Sequence, residues 1–112
     1  MTSEERTSAI YNRVASIRFG LSEDSLSSCH QALSYLCSRI PSIKDPVIEI
    51  NPKKTIIISW HKDLHSVEIL FHREGNVELT YQYSSKNNCI NWAIDWFDLD
   101  EETFNVAKGL MT

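Results

Sequence analysis

Apolar side chains in the first forty residues recur at helical spacing. Ile10, Val14, Ile17 and Leu21, with Tyr11 and Ala15 alongside, predict an amphipathic helix. Thr2 is placed to cap its start, with Glu5 three residues on in a capping-box spacing, and Gly20 to end it as the left-handed residue past the last turn. Ser22 then caps a second helix whose first turn holds Glu23 and Asp24, where the helix dipole favours acids. Its stripe runs through Leu26, Cys29, Leu33, Leu36 or Cys37, and Ile40, and Pro41 stops it. Two amphipathic helices joined by so short a link predict an antiparallel hairpin.

From Pro46 the period falls to two. Val47 to Ile50 and Thr55 to Trp60 flank Asn51-Pro52-Lys53-Lys54, with Pro52 where a type I turn takes proline. His65 to His72 and Val77 to Tyr83 flank Arg73-Glu74-Gly75. A three-residue loop with Gly75 left-handed sets Phe71 opposite Val77, Ile69 opposite Leu79 and Val67 opposite Tyr81, all on one face. Ser66, Glu68, Thr80 and Gln82 then share the other face. A two-residue loop would oppose Phe71 to Glu78 and mix the faces, so the three-residue loop is expected. Ile90, Trp92, Ile94 and Trp96 alternate with polar or small residues and read as a fifth strand. The competing helix would align Cys89, Trp92, Ala93 and Trp96; the aromatic and β-branched content favours the strand. Asp100 caps a short final helix through Phe104 and Ala107, with Gly109 as its expected end.

The pattern predicts one α+β domain over residues 1–112. It is a two-layer sandwich in which an N-terminal helical hairpin packs on a four- or five-stranded antiparallel meander, with a short C-terminal helix. Ile17, Leu33, Ile58, Phe71, Leu79 and Trp92 are its expected core.

The 42% apolar and 23% charged content is ordinary for a globular chain of 112 residues. Three separated cysteines, Cys29, Cys37 and Cys89, with no CxxC pair, point to a reducing cytoplasm rather than a disulfide scaffold. The acidic start of the chain and the absence of a long apolar run predict neither a signal peptide nor a membrane-bound protein. Charge changes the picture more. The net charge of −4 argues against direct nucleic-acid binding, and it is confined to the end of the chain. Up to residue 86 acids and bases balance; beyond it Asp95, Asp98, Asp100, Glu101 and Glu102 face Lys108 alone.

Candidate chemistry is sparse. His61 and His65 stand four apart, a metal-binding spacing on a helix, but this stretch reads as a polar connection between strands. With His72, and Lys62 or Arg73, they compose the alternative reading, a small metal- or histidine-dependent hydrolase or nuclease. Cys29 and His30 are sequence neighbours, which do not face each other on a helix, and Cys29 and Cys37 fall on the apolar stripe. Phosphate-cradling glycine motifs and a Gly-x-Ser-x-Gly elbow are absent. No cofactor, catalytic residue or metal ligand is assigned. The favoured expectation is a non-catalytic binding protein that occupies a site on a larger macromolecule, in an inhibitor, immunity-type or adaptor role. The layout is shared by many short prokaryotic and phage-encoded proteins, immunity proteins and inhibitors of larger enzymes among them, an analogy of size and class. A protein partner with a basic surface would meet Trp96 as aromatic anchor and Asp98, Asp100, Glu101 and Glu102 as steering charges. The open sheet face around Glu68, Leu70, Glu78 and Thr80 is the reserve surface, and the sequence fixes no oligomeric state.

Overall fold

The structure, a computed structural model, describes residues 1–17 and 20–112. Helices α1 (Ser3–Ala15) and α2 (Glu23–Arg39) are followed by strands β1 (Val47–Ile50), β2 (Ile56–Lys62), β3 (His65–Phe71), β4 (Val77–Ser84) and β5 (Cys89–Asp95). A 3-10 turn at Trp96–Asp98 then leads into α3 (Glu101–Met111). The strands form one antiparallel meander in the order β1-β2-β3-β4-β5. This is the expected α+β architecture, with α2 and α3 against β2 and β3, and α1 packed along α2. No helix among the described residues is long and apolar enough to cross a membrane.

Local chemistry sets the ends of the elements. Thr2 Oγ1 accepts the Glu5 N–H (3.1 Å) while Glu5 Oε1 accepts the Thr2 N–H (3.2 Å), completing the capping box. Ser22 Oγ caps α2 by accepting the Ser25 N–H at 3.0 Å and itself donates to the Arg73 carbonyl at 2.7 Å. Ser28 Oγ donates to the Gly75 carbonyl at 2.8 Å, so the start of α2 is moored to the β3–β4 turn. Gly75 is left-handed at φ +97°, and Phe71, Ile69 and Val67 pair with Val77, Leu79 and Tyr81. The turn before β2 has the same form, with Lys54 at φ +65° in the left-handed position and Asn51 Oδ1 accepting from the Lys53 and Thr55 amides.

The register sorts the helix-side face of the sheet into four cross-strand rows. Ile50, Ile56, Phe71 and Val77 form the first, and Ile48, Ile58, Ile69, Leu79 and Ile94 the second. Together with Leu33, Leu36, Ile40, Phe104 and Met111 they make the aliphatic core. The third row, Trp60, Val67, Tyr81 and Trp92, is buried at its β2 end and half-exposed at its β5 end. The fourth, Lys62, His65, Tyr83 and Ile90, is exposed at both ends and half-buried between. Tyr81 stacks on Trp92 with ring centroids 5.3 Å apart, and His65 Nδ1 lies 2.7 Å from the Tyr81 hydroxyl.

The link between hairpin and sheet, residues 41–46, is irregular but tightly held. Arg6 Nη1 donates to the Ile43 carbonyl (2.9 Å), Arg13 Nη2 to the Pro46 carbonyl (3.2 Å) and Trp60 Nε1 to the Lys44 carbonyl (2.8 Å). The Lys44 N–H donates to the Met111 carbonyl at 2.7 Å. Side chains of α1 and β2 and the backbone end of α3 therefore satisfy groups that a loop normally leaves to water.

Four expectations need correction. Ile17 is 41% exposed rather than core, because α1 ends at Ala15. The Ser16 hydroxyl turns back to the Arg13 carbonyl and the Ile17 amide to that of Val14, so the helical period no longer carries Ile17 inward. Gly20 is left-handed at φ +76° but stands well past Ser16, the C-cap, and any helical extension through residues 18 and 19 lies outside the described residues. Gly109 does not end α3, which continues until Met111 is buried beneath the Lys44 link. Trp92 is half-buried, on the uncovered end of the third row.

Candidate functional site

The chemistry-bearing residues separate once folded. His61 and His65 sit on consecutive strands joined by the tight Asp63–Leu64 turn, in which Asp63 adopts φ +57°. They point to opposite sheet faces: His65 joins the aromatic rings, whereas His61 lies on the open face with Nε2 3.3 Å from Ser59 Oγ. In place of a shared polar connection the two rings differ, His61 exposed and His65 half-buried. His72 is engaged at the far end of the open face with Glu78. Among the described residues no three His, Cys, Asp or Glu side chains group as ligands for a metal. The hydrolase reading therefore has no shared site on which His61, His65 and His72 converge.

Cys29 is fully buried, and burial pushes its thiol up to about 12, far from the range of a nucleophilic thiolate. Burial also raises Cys37, against smaller lowering by a bond to Thr7 and the charge of Arg6. Cys89 is exposed at the start of β5. The open face carries a shallow groove of about 230 Å³ lined by Ser66, Glu68, Thr80, Gln82, Asn91 and Ala93. Glu68 and Thr80 of the reserve surface are in it; Leu70 and Glu78 lie nearer the β3–β4 turn.

The acidic segment folds into a corner where β5 leaves the sheet. Asp95 Oδ1 accepts the Phe97 N–H at 2.9 Å, which turns the chain out of the strand into the 3-10 turn. That rotation separates two adjacent aromatics. Trp96 turns inward and meets Tyr35 edge-on, with centroids 5.9 Å apart, while Phe97 is thrown outward and is 84% exposed. Between α2 and the turn lies an apolar groove of about 120 Å³, lined by Ser28, Gln31, Ala32, Tyr35, Val77, Trp96 and Phe97.

The acids of this segment have different duties. Asp100 caps α3 by accepting the Thr103 N–H at 2.7 Å, and that bond, with one to the Thr103 hydroxyl, holds its carboxyl below the usual range. Glu101 Oε2 takes a 3.0 Å hydrogen bond from Arg39 Nη2, and the guanidinium holds Glu101 low as well. Arg39 is fixed over the Phe104 ring, 4.5 Å from its centroid. Asp98 and Glu102 are exposed with no hydrogen bond or ion pair among the described residues. Of the residues expected to bind a partner, Trp96 is thus a groove wall, Asp100 a cap and Glu101 half of an ion pair, leaving Asp98 and Glu102 as available charges. Phe97 went unselected in the sequence. Its signal was its adjacency to Trp96, since neighbouring strand residues cannot both face inward. Comparison with protein-family models, curated proteins and solved structures finds no match.

Proposed function

We propose that the chain is a non-catalytic binding protein that attaches to a basic surface on a larger protein partner. It would do so through the corner between β5 and α3, occupying a site on that partner. The observation that carries the reading is Phe97, a large aromatic 84% exposed on the wall of an apolar groove, in a segment of the chain that also carries Asp95, Asp98 and Glu102. An exposed aromatic held by a capped turn loses little freedom on binding, which suits an anchor. The unpaired carboxylates of Asp98 and Glu102 in the same segment suit long-range steering of a positively charged surface. Trp96 serves by shaping the groove.

The test is capture from the native host on immobilised protein, run with wild type, Phe97→Ala and an open-face Thr80→Arg variant. A partner retained by wild type and Thr80→Arg but lost by Phe97→Ala supports the corner. With that partner purified, Phe97→Ala should accelerate dissociation by about 30-fold, the equivalent of a 2 kcal/mol hot spot. Asp98→Asn with Glu102→Gln should slow association and flatten its salt dependence. Kinetics unchanged in both sets, or loss of the partner with Thr80→Arg alone, would move the binding surface to the open sheet face.

A further inference from the structure

The two edges of the sheet are built differently. β1 has four residues with Glu49 among them, and prolines at 46 and 52 stand just outside it. Short length, charge and flanking proline are the devices that keep an edge from pairing with another chain. β5 has none of them. It is seven residues long, lacks proline and lysine, contains no left-handed residue, and has one charge, Asp95, at its very end.

The hydrogen-bond phase of that edge follows from the adjoining turns. The Ser85 N–H donates to the Asn88 carbonyl at 2.8 Å, and the Ser84 N–H to the Leu64 carbonyl at 3.2 Å. Antiparallel ladders alternate bonded and non-bonded pairs. Counting along the β4–β5 register, Ile90, Trp92 and Ile94 turn their backbone groups toward β4. Cys89, Asn91, Ala93 and Asp95 therefore turn theirs outward, a row of donors and acceptors awaiting a strand.

We propose that β5 pairs antiparallel with β5 of a second copy of this chain, about a two-fold axis at Trp92, joining the two meanders into one continuous sheet. Among symmetric registers that use the outward groups, this one overlaps all seven residues, with Asn91 opposite Ala93 of the partner and Cys89 opposite Asp95. The side chains fit that register. Ile90, 51% exposed in one copy, falls opposite Ile94 of the other, and the two Trp92 residues meet at the axis as a close non-bonded pair. The half-covered third and fourth rows thus gain an apolar neighbour. Charge fits as well. Antiparallel pairing sends each acidic corner, with Asp95 and Asp98, toward the other copy's β4–β5 turn, which carries Lys86, and keeps the two acidic corners apart.

The test is sedimentation equilibrium of the whole chain. Wild type should give twice the 12.9 kDa chain mass at micromolar concentration. Ala93→Pro removes an outward N–H and leaves the β4 ladder intact, so it should sediment as a folded monomer by circular dichroism. If that variant loses its fold, Ile90→Lys decides, since it puts a charge opposite Ile94 without altering the backbone. Phe97→Ala should keep the dimer mass, which separates failure here from failure of the partner-binding corner. Register has its own readout: the two Cys89 residues would sit about 20 Å apart, six residues at strand rise, so mild oxidation should give no Cys89 cross-link. A wild-type monomer at micromolar concentration, a folded Ala93→Pro or Ile90→Lys dimer, or ready Cys89 cross-linking would overturn the proposal.

Discussion

Replacing Phe71 with alanine probes the register that organises the sheet. Phe71 has no exposed surface and pairs with both Ile56 and Val77 in the first row of the inner face. A buried aromatic removes about 150–250 Å² from water, which at about 25 cal/mol per Å² is some 4–6 kcal/mol. Subtracting what the alanine methyl keeps, and the burial already present in a compact unfolded chain, leaves about 3–5 kcal/mol, the range found for buried Phe→Ala changes. Against a total stability of about 5–15 kcal/mol, that is a large share. Urea unfolding followed by tryptophan fluorescence, with buried Trp60 among the reporters, measures it. Leu70→Ala, one residue earlier on the outer face, is the control and should cost less than about 1 kcal/mol. A one-residue slip would exchange the two values. A Phe71→Ala loss below about 1 kcal/mol, or a larger loss for Leu70→Ala, would refute the register.

Two further outcomes follow from single residues. Gly109 lies within α3, is exposed, and an added Cβ there would meet no atom within 4 Å; Gly109→Ala should therefore stabilise by about 0.5–1 kcal/mol, and a thermal melt that falls would place Gly109 outside the helix. Under native conditions a disulfide reagent should titrate Cys89 rapidly and Cys29 only on unfolding, which peptide mapping of the labelled protein would check. The Cys29 thiol stays neutral in the fold to about pH 12 but ionises near its ordinary value of 9.0 when unfolded. Its contribution is thus complete below about pH 9 and is lost as pH rises toward about 12, at up to about 1.4 kcal/mol per unit. Cys29→Ala should shallow that alkaline slope, and equal slopes would contradict the burial.

What could be read from the residues was what neighbours decide. Gly75 set one loop length, that length set a register, and the register assigned the inner and outer faces of β3 and β4. The capping residues Thr2, Ser22 and Asp100 announced three helix starts because a cap needs only its own amide three residues on. Helix ends were less legible. Gly109 has the local character of a terminator, yet α3 runs through it because Met111 is buried and its carbonyl is taken by the distant Lys44 amide. The site divided in the same way. Its acidity and aromatic content were visible, but the alternation that placed Ile90, Trp92 and Ile94 was carried one residue too far. At Trp96 the Asp95 side chain had already bent the chain, and the exposed ring became Phe97. Arg39, which neutralises Glu101, stands on another helix and could be found only in three dimensions.

Irregular stretches are usually where a chain tolerates being lengthened or opened, and residues 41–46 would be the obvious choice by secondary structure alone. Their bonds to Arg6, Arg13, Trp60 and Met111 reverse that expectation. An inserted peptide there would detach the hairpin, β2 and α3 from one another at a stroke, so this segment behaves as a keystone with the outward look of a hinge. The exposed Lys86–Asn87 tip, which makes no hydrogen bond to the other described residues, is the place to open the chain or attach a label. The stretch without regular structure is the one on which the others hang.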